Sequence, residues 1–252
     1  MKAIKKKYLD DKEYFQEEYD KTQIVLHHTE SSTWLSAWSW WNSQEGHIGT
    51  AYIIDKDGTI IECFNPKHWA YHTGTGKAYD RHSIGIELVN EGKLKCKDAN
   101  LNEEKFTWGN NYIYKYDIGN RPLKLFSKWR GEKYFANYTN EQLKSLYELT
   151  LHLCNIYKIP KVTAASGIYN EKYSLLEGIV THANIKESKT DLNPSFSMND
   201  LEKYINRPQR GCCGPPPPPS PHAKRMTRED ATWAKIMKFI KNTYWYNKRR
   251  RK

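Results

Sequence analysis

Two short apolar runs in this chain each end on histidine. Gln23-Ile24-Val25-Leu26 leads into His27 and His28, and Gly178-Ile179-Val180-Thr181 leads into His182, with Asp191 following in the same stretch of chain. Runs of β-branched residues of this length read as buried strands, and a sheet can bring the ends of two such strands together although most of the chain lies between them. A hydrolytic zinc takes three protein ligands from His, Cys, Asp or Glu and keeps a fourth position for water. His27, His182 and Asp191 supply such a set. Against this stands the ordinary fate of histidines in a chain that has nine of them, which is to lie at the surface or within the core.

Strands are expected near residues 23–28, 50–55, 59–64, 83–89 and 178–182, with Asp57-Gly58 turning the chain between the second and third. Ser32 to Asn42 carries Trp34, Leu35, Trp38 and Trp41 at helical spacing. Thr139 to Tyr157 is expected to be a helix with Leu143, Leu146, Tyr147 and Leu153 inward. This is an α/β pattern, a mixed central β-sheet flanked by helices. Residues 91–135, rich in Lys, Asn, Tyr and Trp, look like an insertion after the 83–89 strand, either a wall of a cleft that sets substrate preference or a long surface loop.

Further residues occur in a fixed order along the chain. Ile24-Val-Leu-His27-His28-Thr29 is followed by Ile48-Gly-Thr-Ala-Tyr-Ile-Ile-Asp-Lys-Asp-Gly-Thr59, then Trp69-Ala-Tyr-His72-Thr-Gly74 and Ser83-Ile-Gly-Ile-Glu87-Leu. Thr181-His182 and Lys189-Thr-Asp191-Leu-Asn-Pro194 close the series. Taken together these resemble the zinc-dependent N-acetylmuramoyl-L-alanine amidases of the amidase-2 group, which includes phage lysozyme-type amidases and the peptidoglycan recognition proteins. The resemblance covers roughly residues 20–200. It implies zinc held by His27, His182 and Asp191, and peptidoglycan as substrate. His27 rather than His28 is the ligand in that pattern, and adjacent strand residues point to opposite faces, so His28 is expected to pack or hydrogen-bond on the far side.

Amide hydrolysis needs hydroxide at neutral pH, a stabilised oxyanion and a proton for the departing amine. Zinc meets the first need and part of the second. The resemblance assigns the proton carrier to Glu87, whose place in Ile84-Gly-Ile-Glu-Leu-Val89 turns its carboxylate to the face opposite Ile86 and Leu88. Lys189 matches the lysine beside the third ligand and would favour the oxyanion. His72, Tyr71 and Thr50 are expected to bind substrate. Two departures stand out: Thr50 occupies the position of a tyrosine in the phage lysozyme-type enzymes, and Asp191 that of a cysteine in some relatives. An aspartate hardens the site toward oxygen and nitrogen ligation yet suits zinc.

Residues 211–221 read Gly-Cys-Cys-Gly, five prolines, Ser and Pro, a semi-rigid spacer. The expected organisation is therefore a catalytic domain over 1–206, a linker over 207–222 and a tail over 223–252. Residues 207–252 hold 13 Lys and Arg against 2 Asp and Glu, a balance of +11 that equals the net charge of the whole chain. Residues 1–206 are thus formally neutral, and only the tail bears on acidic partners. Thr227-Arg-Glu-Asp230 has the form of a capping box, and Trp233, Ile236, Met237, Ile240 and Tyr244 recur at helical spacing, giving a C-terminal basic amphipathic helix. Such a helix can lie on an anionic membrane or envelope surface, dock on the catalytic domain, or, less favoured here, contact nucleic acid.

Lys2, Lys5, Lys6 and Lys7 are not followed by an apolar run, which is not the pattern of a secretory signal, and no transmembrane segment is expected. Cys63, Cys96, Cys154, Cys212 and Cys213 form no recognisable framework and fit reduced thiols. With the amidase resemblance, these features suit a phage endolysin made in the host cytoplasm and released to the cell wall. The alternatives are a cytoplasmic amidase recycling wall fragments and a non-catalytic recognition protein.

Overall fold

Both histidine-terminated runs become strands of one sheet. In the computed structural model, which describes residues 1–97, 105–116 and 121–208, the first strands are β1 (Ile4–Lys6), β2 (Gln23–His28), β3 (Tyr52–Ile54), β4 (Ile60–Glu62) and β5 (Ser83–Leu88). With β11 (Gly178–Thr181) they form a six-stranded sheet in the order β1-β4-β3-β5-β2-β11. β11, β2, β5 and β3 are mutually parallel, whereas β4 returns antiparallel to β3 through a turn at Gly58 (φ 79°). The sheet is mixed, as the sequence suggests. Every residue of β2 is buried, which is why Ile24, Val25 and Leu26 at its centre are all apolar rather than alternating.

Helices α1 (Trp34–Trp41), α2 (Lys77–His82), α3 (Asn140–Tyr157), α4 (His182–Ile185) and α5 (Met198–Ile205) flank this sheet. α3 is capped by Thr139, whose hydroxyl accepts from the Gln142 amide at 3.1 Å, and it buries Leu146, Leu149 and Leu153 in the core. On the same helix Gln142 is fully buried. Its Nε2 donates to the carbonyls of Ile54 (2.9 Å) and Val89 (3.0 Å), joining the helix to backbone at the ends of β3 and β5.

Residues 91–135 are not a long surface loop. They contain β6 (Lys93–Cys96), β7 (Phe106–Trp108), β8 (Tyr112–Ile113), β9 (Leu123–Trp129) and β10 (Glu132–Phe135), an antiparallel sheet in the order β8-β7-β6-β10-β9. Leu94, Phe106, Tyr114 and Ala136 form its own small core. Strands of two to seven residues, exposed on one face, leave too weak a period in the sequence to separate from loop. The N-terminal segment is likewise structured, since β1 pairs with β4 and Leu9 and Tyr14 enter the main core.

Met1–Arg207 form one compact unit. The Pro-rich run, Cys212, Cys213 and the amphipathic helix expected from Thr227 to Tyr244 lie outside the described residues. Cys63, Cys96 and Cys154 are free thiols.

Gln142→Leu keeps the helix and the side-chain volume but leaves the buried Val89 carbonyl without this donor, while the Ile54 carbonyl keeps the Val89 amide. An unsatisfied buried group costs roughly 1–3 kcal/mol. Urea denaturation is expected to show a lower midpoint for this variant with an unchanged slope.

Candidate active site

Parallel strands share a carboxyl-terminal edge, and in open α/β sheets that edge is where side chains for ligands gather. Here the register is specific. His27 of β2 lies level with Glu87 of β5, and Thr181 of β11 lies level with Leu26, so His182, the next residue, follows onto the same edge as His27. The turn from β11 into α4 is held by Asn184, whose Oδ1 accepts from the Thr181 amide and hydroxyl, both at 2.8 Å. Asn184 Nδ2 in turn donates to the carbonyls of Ala165 and Ile168.

His27 Nδ1, His182 Nδ1 and Asp191 Oδ2 converge. The nitrogens are 3.0 Å apart and stand 3.2 and 2.9 Å from the carboxylate oxygen. All three residues are buried, and together they form a group able to hold a metal ion. Ligands about 2.0–2.1 Å from a tetrahedral zinc stand roughly 3.3 Å from one another, so the donor atoms are spaced for such an ion.

The outer nitrogens of both rings have partners, and for His182 that partner leaves the inner nitrogen bare. His182 Nε2 lies 2.8 Å from the Thr73 carbonyl, which can only accept, so Nε2 carries the hydrogen and Nδ1 a lone pair. His27 Nε2 lies 3.0 Å from His72 Nδ1, and His72 Nε2 lies 2.9 Å from Ser83 Oγ. With His27 Nδ1 bare, Nε2–H donates to His72, and His72 Nε2–H donates to Ser83. This is the outer support that fixes the tautomer of metal-binding imidazoles.

The segment carrying His72 and Thr73 is fastened in turn. Asp80 Oδ1 accepts from the amides of His72 (3.1 Å) and Thr73 (2.9 Å). Lys21, buried, donates to the carbonyls of His68 (2.9 Å) and Arg81 (2.7 Å), and burial brings its pKa down to about 7.

On β5, alternation presents Ser83, Gly85 and Glu87 to this face. A Cβ at Gly85 would stand 2.6 Å from Thr50 Cγ2 and 3.1 Å from His72 Nδ1, so only glycine lets these side chains pack here. Glu87 is half-buried, and its Oε2, buried, has no hydrogen-bond partner among the described residues. Burial, and next the Asp191 carboxylate, hold its carboxyl well above the ordinary range. Burial alone would also raise Asp191, but His182 and His27 reverse this and hold it well below the usual value. Burial, and then the neighbouring His182, bring His27 down to about 4.

These groups line a cleft of about 710 Å³ that also holds Lys189, exposed at its rim. The three residues expected to meet substrate separate. Tyr71 is partly exposed in the cleft, beside Trp40 and Ile48, which sequence reasoning did not single out. Thr50 is buried and its hydroxyl donates to the Tyr52 carbonyl. His72 has a buried side chain and stands behind His27 rather than at the opening, a position that supports the ligand. His28 faces away from the three donor atoms, as alternation requires, with Nδ1 3.0 Å from the Tyr138 hydroxyl. That hydroxyl also accepts from the Asn193 amide, two residues beyond Asp191.

Two imidazoles and a carboxylate converging beside a half-buried acid fit a hydrolytic enzyme. The chain belongs to the N-acetylmuramoyl-L-alanine amidase family (Amidase_2), whose family model matches residues 18–194 and so contains every site residue named above. It is accordingly an enzyme of peptidoglycan amide hydrolysis. No curated protein matches the sequence significantly. Among solved structures, PlyL is 13% identical with a TM-score of 0.48, covering 81% of this chain and 97% of that one. The N-acetylmuramoyl-L-alanine amidase LysC from Clostridium intestinale is 14% identical, with a TM-score of 0.46 and coverage of 82% and 99%. AmiD from E. coli, in complex with an anhydro-N-acetylmuramic acid peptide, is 19% identical with a TM-score of 0.49 and coverage of 75% and 59%.

The raised carboxyl of Glu87 sets a pH dependence of stability. Below the ordinary glutamate pKa both folded and unfolded states hold the proton and nothing is lost. As pH rises toward the folded pKa only the unfolded state ionises, which favours unfolding. Chelator-treated Glu87→Gln is therefore expected to melt above wild type at pH 7, with the difference vanishing near pH 4, measured by calorimetry.

Proposed function

We propose that the protein is a zinc-dependent amidase that cuts the bond between the lactyl group of N-acetylmuramic acid and L-alanine. The observation that carries this reading is the convergence of His27 Nδ1, His182 Nδ1 and Asp191 Oδ2, with the outer nitrogen of His182 on the Thr73 carbonyl and that of His27 on His72. A zinc ion bound by these three atoms supplies a Lewis acid and lowers the pKa of its water to about 7.

Glu87 does the proton work. With a cation held beside it, its carboxylate would take the proton from the attacking water and deliver it to the amine nitrogen of the departing alanine. Lys189, at the rim of the cleft, places a fixed cation where the carbonyl oxygen gathers negative charge. His72 does not touch substrate in this scheme. It holds the tautomer and orientation of His27. Tyr71, with Trp40 and Ile48, offers an apolar shelf for the glycan or the first peptide residues. Retention of all three donor residues together with Glu87 speaks against a purely recognition role.

We further propose that the enzyme works as a phage endolysin and that residues 207–252, which carry the whole +11 net charge, bring it to anionic envelope surfaces. No helix among the described residues is long and apolar enough to cross a membrane.

The test is digestion of purified peptidoglycan with mass-spectrometric detection of new N-terminal L-alanine. Wild type is expected to release it, to stop on chelation and to recover with zinc. His182→Ala should be inactive, and Glu87→Gln should lose roughly 10²–10⁴-fold in kcat. Full activity in either variant would refute the assigned roles. Sedimentation of the full chain with anionic vesicles should weaken as salt is raised from 0.05 to about 0.5 M, because surface attraction is screened over a Debye length of roughly 10 Å at 0.1 M. Salt-independent sedimentation would contradict a charge-driven tail.

A further inference from the structure

The tip of the β9–β10 hairpin reaches across to the chain between two of the metal-donor residues. Glu132 pairs directly with Trp129, so Arg130 and Gly131 alone make the turn, and both have positive φ (49° and 85°). A two-residue turn of this kind favours Asn, Asp or Gly at its first position because of the left-handed backbone. Arginine is there against that preference, which directs attention to its side chain.

The Arg130 guanidinium faces backbone carbonyls of one segment. Nη2 donates to Ala183 at 2.7 Å, and Nη1 lies 3.2 Å from the Lys186 carbonyl, 2.7 Å from that of Glu187, and in short contact with that of Lys189. These carbonyls belong to α4, which begins at His182, and to the stretch that runs from it to Asp191. A short helix leaves its carbonyls without intrahelical partners, and the planar fork of a guanidinium, with five N–H groups, can meet several of them at once. The base of the same stretch is closed by the Ala183 amide donating to the Asp191 carbonyl at 2.5 Å. One stretch of backbone, carrying two donor residues and Lys189, is thus pinned at its ends and in its middle.

The hairpin tip is itself held. Trp129 Nε1 donates to the Gly167 carbonyl at 3.4 Å, its ring meets Phe135 edge-on at 5.8 Å, and the guanidinium sits 4.8 Å from the Trp129 ring. The second sheet therefore ends in an anchored arginine rather than a free loop.

We propose that Arg130 is a positioning residue for the amidase reaction: from the tip of the second sheet its guanidinium holds the 183–189 backbone so that His182 and Asp191 keep their donor spacing and Lys189 faces the cleft. The inference rests on the reading of His27, His182 and Asp191 as metal ligands. It gives the 91–135 insertion a task in the site, which neither the composition of that segment nor its position in the chain indicates.

The experiment compares the full chain with Arg130→Asn and Arg130→Lys. Asn suits the left-handed turn, so the first variant removes the guanidinium while keeping the hairpin. Zinc affinity of the metal-free proteins is measured by chelator competition, backbone protection by hydrogen exchange, and catalysis by kcat and KM separately. Arg130→Asn is expected to bind zinc about 10–100-fold more weakly, as loss of an outer support does. Exchange should quicken over residues 183–191 and not across the central sheet, and kcat should fall with KM little changed. Arg130→Lys, a point charge with three donors, should recover part of each loss. Wild-type affinity and protection in Arg130→Asn would overturn the proposal, as would faster exchange throughout the protein, which would mark a general loss of stability. Failure of the wild-type protein to take up zinc would overturn the metal-site reading instead, and exchange over 183–191 would still decide whether Arg130 holds that segment.

Discussion

The site depends on two imidazole rings whose outer nitrogens are already committed. His182 Nε2 gives its hydrogen to the Thr73 carbonyl, which turns its lone pair inward toward Asp191, and His27 Nε2 faces His72 Nδ1, an arrangement in which His27 Nδ1 is free to present a lone pair to a cation. Two lone pairs and a carboxylate held within 3.2 Å of one another are unfavourable unless a proton or a cation is shared among them. Burial aggravates this, since it removes the water that would otherwise solvate the carboxylate. The protein keeps His27 neutral and Asp191 ionised, the protonation state in which each can act as a metal ligand.

Everything around these three residues serves to keep that cluster in place. The parallel strands β11, β2 and β5 bring His182, His27 and Glu87 to one edge. Lys21 and Asp80 fasten the segment that presents Thr73 and His72, and Asn184 fixes the turn into α4. Tyr138 ties His28, on the back of β2, to the Asn193 amide beyond Asp191. Most of these supports are hydrogen bonds from buried side chains to backbone. Glu87 Oε2 is buried with no partner among the described residues, as is Asp80 Oδ2. Of these two, Glu87 lines the cleft, where an unsatisfied acid suits the movement of a proton.

How much of this could be read from the sequence follows the physics of each signal. Strands buried on both faces leave continuous apolar runs, and β2, β5 and β11 were legible for that reason, as was the long amphipathic α3. The convergence of His27, His182 and Asp191, with Glu87 beside them, was legible because these residues sit at the ends of such runs or in motifs of fixed spacing. The second sheet was not, because short, half-exposed strands rich in Lys and Tyr carry almost no period. Nor were the supporting roles. Gln142 and Asn184 satisfy distant carbonyls, and His72 meets the His27 ring, through contacts that join residues 16 to 88 positions apart. Arg130 lies 53 residues or more before the carbonyls it meets, and an arginine in a turn looks like any solvated cation until the fold brings that partner backbone to it.

The most direct test of this picture is zinc-edge anomalous diffraction from crystals of the full chain supplied with zinc. The expected result is one strong peak about 2 Å from each of His27 Nδ1, His182 Nδ1 and Asp191 Oδ2, with both outer ring nitrogens still on His72 and Thr73. No peak at that point, or a peak ligated by other residues while these three keep their hydrogen bonds to one another, would contradict it.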